Sequence, residues 1–484
     1  MEVRPIKLRF ICLAACALWI LVAAEAEAQE EYLQLRGAVH IHSKFSTGRE
    51  TIEEIANRAV EHGLDFLVIS DDDLLKVEYG PPLLRNLALG VDTTALFTSG
   101  TLDEYFAEIR RVDALYPNLI AIEGVESAPF YYWTVDLGKR LWTVHNWDKH
   151  LLAVGLDSLE SYAKLPVIGG EGVAVWHWTS VLLLWPLLGL LYALAVGRGH
   201  PRAVRWLVGV VSVLCLVNNA PFKTALVDAY SGNLGAAPYQ YYIDYVNDHG
   251  GLAFWAHPAA RSPLRPRSLL GGLVHTMTVT RSHPEDLLET RDYAGFAAIS
   301  GEGMKFTEPG GIWDQVLAEY IEGKRRRPAW GYGEIDYHFD NAEDPIDDKL
   351  TVVLARQATR QDVLEALRRG RTYAVWGGDE HLALKRFSAA TGSARAIVSE
   401  HIETSGEVTV FVDIDKLNGV GERIRLRLIK AGAIVADINA ETPLEFRHVD
   451  AGIRPGEHTY YRLIATGPKT RLTSNPIFIT GGEQ

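Results

Sequence analysis

The sequence predicts an α/β fold in which a barrel of parallel strands carries functional side chains at its C-terminal end. Apolar, strand-like runs alternate with helical patterns such as residues 51–62. Three of these runs end in segments that contain histidine, at His40, His257 and His338. Seven strands would be one fewer than in the commonest barrels of this kind. The seven runs are residues 35–42, 65–71, 119–126, 150–156, 251–257, 295–300 and 327–334.

The first of these runs ends in the pair His40 and His42. Side chains alternate with a period of two along a strand, so the sequence predicts that both imidazoles lie on one face. Two imidazoles on one face can bind the same cation. The pair therefore indicates a metal site at the end of the first strand.

Composition limits the kinds of ligand and partner. A chain of 484 residues can hold two or three domains with a sizeable core. Its formal charge of -13 argues against nucleic acid as a partner, because phosphate backbones bind basic surfaces. The three cysteines, Cys12, Cys16 and Cys215, all lie in apolar stretches, which excludes a thiolate metal site. Any metal must be bound by His, Asp and Glu.

Residues 1–28 predict a secretory signal peptide or an N-terminal anchor. Basic residues precede an apolar run over residues 10–24, and Ala26-Glu27-Ala28 forms a small-residue cleavage pattern. The segment around Cys16 also resembles a bacterial lipoprotein cleavage site. Simple cleavage, lipidation and retention as an anchor remain open, and all three would export the rest of the chain.

Residues 166–222 predict an inserted transmembrane hairpin. Residues 173–196 form an apolar run that is long enough to cross a bilayer, and the run over 206–217 is shorter, so whether it crosses fully is open. Metal-type residues lie on both sides of the insertion, so both flanks must face the same side. Basic residues in the turn place it in the cytoplasm and the flanks outside. These residues are Arg198, Arg202 and Arg205.

The remaining chain divides into a barrel and an accessory region. Residues 29–165 and 223–379 are the two parts of the predicted barrel. From residue 380 to 484 the pattern changes to short β-rich runs between Gly, Asn and Pro turns, which predicts a small antiparallel β-sandwich. Three further histidines lie in loop-like stretches and are predicted to be solvated, and contact of one of them with substrate is left open. These are His145, His275 and His283.

Taken together, these motifs resemble the PHP superfamily, named for polymerase and histidinol phosphatase. Its members are metal-dependent hydrolases on a distorted seven-stranded barrel. The resemblance covers residues 36 to 376, apart from the hairpin. The matching segments are His40-Ile41-His42-Ser43, Gly63-Leu64-Asp65, Ser70-Asp71, Glu123-Gly124-Val125-Glu126-Ser127, His150-Leu151-Leu152, Gly250-Gly251-Leu252, Ala256-His257-Pro258 and Asp336-Tyr337-His338.

The resemblance implies a metal site with two cations and a doubtful third. One ion would be bound by His40, His42, Glu126 and Asp336, and Glu126 would bridge to a second ion bound by His150 and His257. Such ligands suit Zn, Mn or Fe. The third ion would depend on Asp72 and His338, but Asp72 replaces the usual histidine and Thr47 replaces a frequent aspartate. We therefore expect two tightly bound ions and a weak or absent third.

The resemblance implies a metal-dependent hydrolase, and the predicted signal segment and hairpin indicate that it is exported and membrane-associated. We expect a phosphoesterase that uses a hydroxide bridging two metal ions, with Arg261 and Arg371 as candidate substrate clamps. Hydrolysis of carbamates, amides or carboxylic esters at the same site is one alternative. A non-catalytic receptor or scaffold that binds metal is the other, because Asp72 and Thr47 depart from the family pattern. The expected partners are a small-molecule ester and the lipid bilayer, with the catalytic domain on the outer side.

Overall fold

The computed structural model describes most of the chain outside its amino terminus. The signal segment predicted at residues 1–28 lies outside the described residues, as do Cys12, Cys16 and Arg198. The described residues are 32–79, 89–92, 94–195, 199–261, 267–269, 274–341, 345–404 and 406–482.

The helices lie almost entirely in the first three quarters of the chain. They are α1 (Ile52–Glu61), α2 (Leu96–Ser99), α3 (Leu102–Leu115), α4 (Leu159–Ala163), α5 (Pro186–Leu194), α6 (Arg202–Asn219), α7 (Ala237–Asp248), α8 (Asp286–Glu289), α9 (Ile312–Ile321) and α10 (Arg360–Arg369). Short 3₁₀ turns occupy Glu171–Val173, Trp178–Leu184, Lys305–Thr307 and Gly378–Glu380.

Strands run through the whole chain. The first group is β1 (Leu33–Ile41), β2 (Phe66–Ile69), β3 (Lys76–Tyr79), β4 (Leu89–Asp92), β5 (Ile120–Ser127), β6 (Tyr132–Asp136), β7 (Leu141–His145), β8 (Leu151–Val154), β9 (Ala174–Val175), β10 (Thr224–Ala225), β11 (Leu252–Trp255), β12 (Arg267–Leu269), β13 (Val274–Val279), β14 (Gly295–Ile299), β15 (Trp330–Gly333), β16 (Lys349–Ala355) and β17 (Thr372–Trp376). The second group is β18 (Leu382–Thr391), β19 (Ala394–Ile397), β20 (His401–Thr404), β21 (Val408–Lys416), β22 (Arg423–Lys430), β23 (Ala433–Glu441), β24 (Leu444–Asp450), β25 (His458–Thr466), β26 (Arg471–Ser474) and β27 (Ile477–Gly481).

The protein is a mixed α/β fold, and each of the seven apolar runs contains one strand of its main sheet. Those strands are neighbours in the order β15-β14-β11-β8-β5-β2-β1. Beyond β15 the chain meets β1 again, because Ile335 N–H donates to Val39 O (3.1 Å) and Tyr337 N–H donates to His40 O (2.9 Å). The first and last of the seven strands are thereby joined through backbone hydrogen bonds.

The expectation that all seven strands are parallel is wrong for β8. It pairs antiparallel with both β5 and β11, whereas the pairs β1–β2, β2–β5, β11–β14 and β14–β15 are parallel. The physical reason lies in the connection from β5 to β8. A parallel neighbour requires a crossover, usually a helix, but the chain here forms only the hairpin β6–β7 before it returns.

Side chains on alternate faces of these strands enter two different parts of the core. On β2, Phe66 and Val68 lie in one buried cluster, while Leu67 and Ile69 lie in the other. Strands buried on both faces read as continuous apolar runs. That is why these runs were recognisable in the sequence.

Helix α1 shows how local sequence sets an element boundary. Thr51 caps the helix, since its Oγ1 accepts from Glu54 N–H (3.2 Å) and Glu54 Oε2 accepts from Thr51 N–H (2.7 Å). This reciprocal pair is a capping box. Ile52 and Ile55 then face the core. Helix α1 connects β1 to β2 and so helps to position the loop that carries His42.

The region after residue 380 continues the main sheet. Strand β17 pairs with β26 antiparallel, and β18, β19, β21 and β24 form a separate four-stranded sheet. The described parts of residues 382–482 contain strands and no helix. A buried ion pair fastens this region to α9, because Arg462 Nε donates to Asp314 Oδ1 (2.7 Å) and Tyr460 OH donates to the same oxygen (2.7 Å).

The predicted hairpin region differs in detail from the expectation. The run over residues 173–196, expected to be the long span, is split into a 3₁₀ turn and the nine-residue helix α5. Pro186 begins that helix, a position where its missing N–H costs nothing. The run expected to be short lies in the 18-residue helix α6, which by length and composition could cross a membrane. Among the described residues no second helix meets that criterion.

Candidate metal centre

The first part of the site is a bulge at the end of β1. His40 has φ 75°, and the pairing register with β2 shifts between Val39 and Ile41. The ring centroids of His40 and His42 are 4.9 Å apart, and their Nε2 atoms are 3.0 Å apart. The two imidazoles do converge, but the simple strand alternation that predicted it does not apply across a bulge.

Glu126, in β5, is the centre of the site. Its side chain is only 4% exposed. Oε1 lies 3.2 Å from His40 Nε2, 2.7 Å from His150 Nδ1 and 3.0 Å from His257 Nε2, and Oε2 lies 3.2 Å from His42 Nε2. One carboxylate therefore contacts four imidazoles that come from three separate strand ends.

The third part of the site follows β15. Asp336 Oδ1 lies 3.6 Å from His40 Nε2 and 3.5 Å from His42 Nε2. The ring of His338 stacks on that of His42, with centroids 4.4 Å apart. The segment after β15 thus brings a second carboxylate to the nitrogen atoms that already face Glu126.

Three sets of side chains could each hold a cation, since their ligand atoms all lie within 4.8 Å of one another. Of the eight residues named as metal ligands from the sequence, seven fall into these sets. The sets are His40 with His42 and Glu126, then Glu126 with His150 and His257, and then His42 with Asp336 and His338.

Asp72, the eighth named residue, lies on the outer side of His42. Its Oδ2 is 3.3 Å from His42 Nδ1, the nitrogen that faces away from Glu126. The same oxygen accepts a hydrogen bond from Thr47 Oγ1 (2.8 Å). The two departures from the family pattern therefore contact each other.

Glu334 has a role that the sequence reasoning missed. Its buried Oε1 lies 2.7 Å from His40 Nδ1 and accepts from Tyr332 OH (3.1 Å), while Oε2 accepts from His257 N–H (2.8 Å). A carboxylate behind an imidazole fixes which nitrogen is free to bind metal. Its position directly after β15, at the same sheet edge as the other site residues, was the signal that could have identified it.

His150 is oriented in the same way by the backbone. Its Nε2 lies 3.0 Å from Trp147 O. Because a carbonyl oxygen only accepts, Nε2 must carry the proton and Nδ1 is left to face Glu126. Outer partners thus fix the inward-facing nitrogen of His40 and of His150.

Backbone strain is concentrated at the site. His40, His257 and Asp336 have φ values of 75°, 25° and 51°. Such conformations cost a residue other than glycine about 1–3 kcal/mol and persist only where surrounding contacts hold them. Here the holding contacts include the hydrogen bonds that Tyr337 N–H and His257 N–H donate to His40 O and Glu334.

The electrostatics of the cluster favour proton or cation binding. Burial opposes charge on His40 and His42, but the neighbouring carboxylates, Glu126 and Asp72 above all, outweigh it and raise both pKa values. Burial likewise opposes the charge of Glu126, yet His150 and His40 hold its pKa well below the usual range. Burial opposes a charge on His257, but its hydrogen bond to Glu126 and the charges of the nearby carboxylates together raise its pKa to about 9.

The donor set fits divalent metal ions. Imidazole nitrogens suit Zn, Mn and Fe, and carboxylate oxygens accept these and harder cations. Two Nε2 atoms 3.0 Å apart place lone pairs against each other unless a proton or a cation lies between the ligands. His257 Nδ1 is a further buried nitrogen without a hydrogen-bond partner among the described residues.

The two arginines predicted as substrate clamps lie in different parts of the structure. Arg261 is exposed and follows His257 closely along the chain. Arg371 is misplaced, because it lies at the opposite end of the sheet, where its Nε donates to Leu354 O (3.3 Å) and its guanidinium stacks on Tyr32. Strand β16 runs antiparallel to β1, so its carboxyl end meets the start of β1 and not the site.

Comparisons with known proteins give remote structural similarities only. No family model and no curated protein matches the chain. A two-domain protein from Bacteroides vulgatus, containing a predicted PHP-like metal-dependent phosphoesterase, is 11% identical, with 93% of this chain and 96% of that one covered and a TM-score of 0.37.

Two further solved structures are similar over a smaller part of the chain. A protein from Bifidobacterium adolescentis, named for a metal-dependent phosphoesterase, is 16% identical, with 69% and 96% of the chains covered and a TM-score of 0.28. An amidohydrolase from Chromobacterium violaceum, with bound sulfate and no metal, is 16% identical over 64% and 89%, with a TM-score of 0.27. At TM-scores this low, the similarities carry no argument about function.

Proposed function

We propose that this chain is a metal-dependent hydrolase whose substrate is a phosphoester. The observation that carries the proposal is the contact of Glu126 with four imidazoles, each within 3.2 Å. A carboxylate so placed can bridge two cations, and the imidazoles supply the remaining ligands. Buried ionisable groups are rarely gathered in this way for stability alone, since desolvation costs several kcal/mol per charge, as an order of magnitude.

Different residues would hold the two cations of such a site. His40, His42 and Asp336 would hold one cation, His150 and His257 the other, and Glu126 both. When bound, a pair of divalent cations lowers the pKa of a shared water and stabilises negative charge on the substrate.

The outer contacts of the cluster keep its donor atoms in place. Glu334 and the carbonyl of Trp147 orient His40 and His150. Asp72 contacts the outer nitrogen of His42, which favours a positioning role over a ligand role. We therefore propose two tightly bound ions, with a weak or absent third at His42, Asp336 and His338.

The proposed family and architecture rest on the chain's own residues. The motifs occur in the order of the PHP superfamily, and the hydrogen bonds from the segment after β15 to β1 support a closed, seven-stranded barrel. The strands after residue 380 would form the accessory β-sandwich. The mixed direction of β8 is compatible with a distorted barrel.

We also propose that the protein is exported and bound to a membrane through α5 and α6. Large apolar side chains there are exposed, with Leu188 of α5 at 70% and Trp206 of α6 at 76%. Exposed apolar patches of this kind mark sites of protein or membrane contact. The strand pair β9–β10 brings both ends of the insertion together, so a hairpin could enter a bilayer while the metal cluster stays on one side.

A metal and activity assay tests the proposal. Purified full-length protein would be analysed for bound metal and assayed with Mn²⁺, Zn²⁺ or Fe²⁺ on p-nitrophenyl phosphate, bis-p-nitrophenyl phosphate, p-nitrophenyl acetate and an anilide. We expect about two metal ions per chain and turnover of a phosphoester that His42→Ala abolishes. Equal turnover by His42→Ala contradicts the enzyme, and turnover of only the acetate or anilide favours the alternative substrates.

A further inference from the structure

A polar cavity lies beside the metal cluster, at the end of a small sheet. Strands β7 and β13 pair in parallel, so their carboxyl ends meet at one edge. The chain after β7 leads directly to His150, and the chain after β13 packs on the residue that follows His257, since His283 N–H donates to Pro258 O (3.0 Å). The cavity between them measures about 370 Å³. Its lining includes His145, Lys149, Arg281, His283, Glu285 and Asp286.

The charges around this cavity cancel. Lys149 Nζ donates to Asp286 Oδ2 (2.6 Å), and both side chains are largely buried. Arg281 and Glu285 add one exposed charge of each sign. A lining with two cationic and two anionic side chains does not select for an anion. It offers both donors and acceptors, which suits a neutral group that can do the same.

His283 provides an acceptor that the protein itself does not use. The sequence predicted a solvated histidine, but the side chain is buried, with only 3% of the residue exposed. Its Nδ1 lies 3.1 Å from Arg281 O and must donate, because a carbonyl only accepts. Burial, together with the charge of Lys149, lowers the pKa of His283 to about 3, so the ring is neutral and Nε2 carries a lone pair.

That lone pair has no hydrogen-bond partner among the residues that the structure describes. A buried acceptor left unpaired costs about 1–3 kcal/mol. A ligand that brings a hydroxyl to this nitrogen removes the cost, whereas an ether or an aromatic carbon leaves it unpaired. Sites of this kind reject analogues that lack the hydroxyl more strongly than apolar pockets reject a missing methylene.

We propose that this cavity binds the part of the substrate that does not react, and that it selects a small hydroxylated group through His283 Nε2. The substrate class is then a phosphoester of a sugar or another polyol, with the ester at the cluster around Glu126 and the hydroxyls in the cavity. This inference rests on the proposed hydrolase function, because it assigns both parts of the site to the same substrate.

A binding experiment tests the cavity without relying on activity. The metal-free full-length protein would be titrated by calorimetry with glucose 1-phosphate and with its O-methylated derivative, which keeps the acceptors but cannot donate. We expect the hydroxylated probe to bind at least about tenfold more tightly. His283→Phe should remove that preference, and His283→Gln, which retains an acceptor oxygen, should restore part of it.

A matched control variant distinguishes a change in the cavity from a general effect on folding. His275 lies on the same strand system but does not line the cavity, so His275→Phe should bind both probes as the wild type does. Melting temperatures would verify that each variant is folded. Equal binding of the two probes by the wild type, or an unchanged preference in a folded His283→Phe variant, would overturn the assignment.

Turnover distinguishes failure of the cavity from failure of the proposed function. On glucose 1-phosphate, His283→Phe should raise KM at least about tenfold. On p-nitrophenyl phosphate, whose leaving group carries no hydroxyl donor, His283→Phe should raise KM less than on glucose 1-phosphate, and the control His275→Phe should leave kcat/KM on both esters within about twofold of the wild type. A wild type inactive on both esters with every metal refutes the hydrolase, and the calorimetric preference then still reports on the cavity.

Discussion

The cluster around Glu126 buries ionisable side chains, whereas the helices α5 and α6 expose large apolar ones. His40 is fully buried beside three carboxylates, and Trp206 is exposed to solvent. Burying ionisable side chains and exposing large apolar side chains to water are both unfavourable for stability. Places where a sequence departs from the rules of folding are expected to be functional. The proposed function accounts for each region by something outside the chain, a cation in one case and a bilayer in the other.

The largest effect is expected when the charge of Glu126 is neutralised. In Glu126→Gln the shape is retained, but the charge that would bridge two cations is lost and an amide faces the imidazoles. We expect bound metal to be lost and turnover to fall at least about a thousandfold. Elemental analysis and steady-state kinetics would measure both effects.

The matched control for this change lies on the same strand. Glu123 is also in β5, but it contacts Arg360 and not the cluster. Glu123→Gln should keep its metal content. If both variants retain two metal ions, Glu126 is not a bridging ligand and the proposed centre is incorrect.

The apolar region is tested by placing a charge on its exposed face. Leu188 in α5 is 70% exposed, and Leu188→Lys would put an ammonium group where lipid is expected. A lysine in place of leucine costs about 3 kcal/mol near the bilayer centre, so partition into vesicles should fall by about a hundredfold. Flotation with lipid vesicles measures the partition.

The control residue is at least as exposed as Leu188 but lies in a different part of the molecule. Leu137 is 82% exposed but belongs to the turn between β6 and β7. Leu137→Lys should leave vesicle binding unchanged. Equal binding by the wild type and Leu188→Lys would mean that α5 does not enter the bilayer.

The outer contacts of the cluster should matter less than the ligands themselves. In Glu334→Gln, His40 Nδ1 loses a charged partner while its ring stays packed, so we expect metal affinity to fall by about ten- to a hundredfold. Activity should recover at high metal concentration, which it would not do in Glu126→Gln. Tyr332→Phe, which removes one donor to Glu334, should have a smaller effect.

Features of the fold that depend on residues close together in sequence could be predicted, whereas features that depend on contacts between distant residues could not. The strand runs and the strand-end histidines were readable because β strands buried on both faces are continuous in apolar residues. The direction of β8 could not be predicted from the sequence, since it depends on the path that the chain takes between β5 and β8. The bulge at His40 and the position of Arg371 likewise depend on pairing between residues that are distant in sequence.

Within the site, residue type carried most of the prediction. Histidines and acids at strand ends identified seven side chains that the structure brings together. Glu334 escaped because its function lies in what it touches, the far nitrogen of His40, and no local pattern records that contact. His283 was misjudged for the same reason, since a loop segment was taken as exposed although tertiary packing buries it.

The remaining prediction concerns pH. Burial opposes a charge on His257, but the hydrogen bond to Glu126 and the charges of the nearby carboxylates raise its pKa to about 9. At neutral pH the metal-free protein therefore carries a proton that a cation must displace. Metal affinity should rise by about tenfold per pH unit for each displaced proton between about pH 7 and pH 9, and then level off.

Stability should change in the opposite sense without metal. A raised pKa in the folded state stabilises the metal-free protein below about pH 6.5, and this contribution is lost as pH rises through about 9. The gain in melting temperature on adding Mn²⁺ should therefore increase across that range. Glu126→Gln removes part of what raises the pKa, the hydrogen bond and the charge of Glu126, so its metal-free stability should depend less on pH there. A wild-type gain that shrinks as pH rises would show that the imidazoles around Glu126 are not the groups that bind the ion.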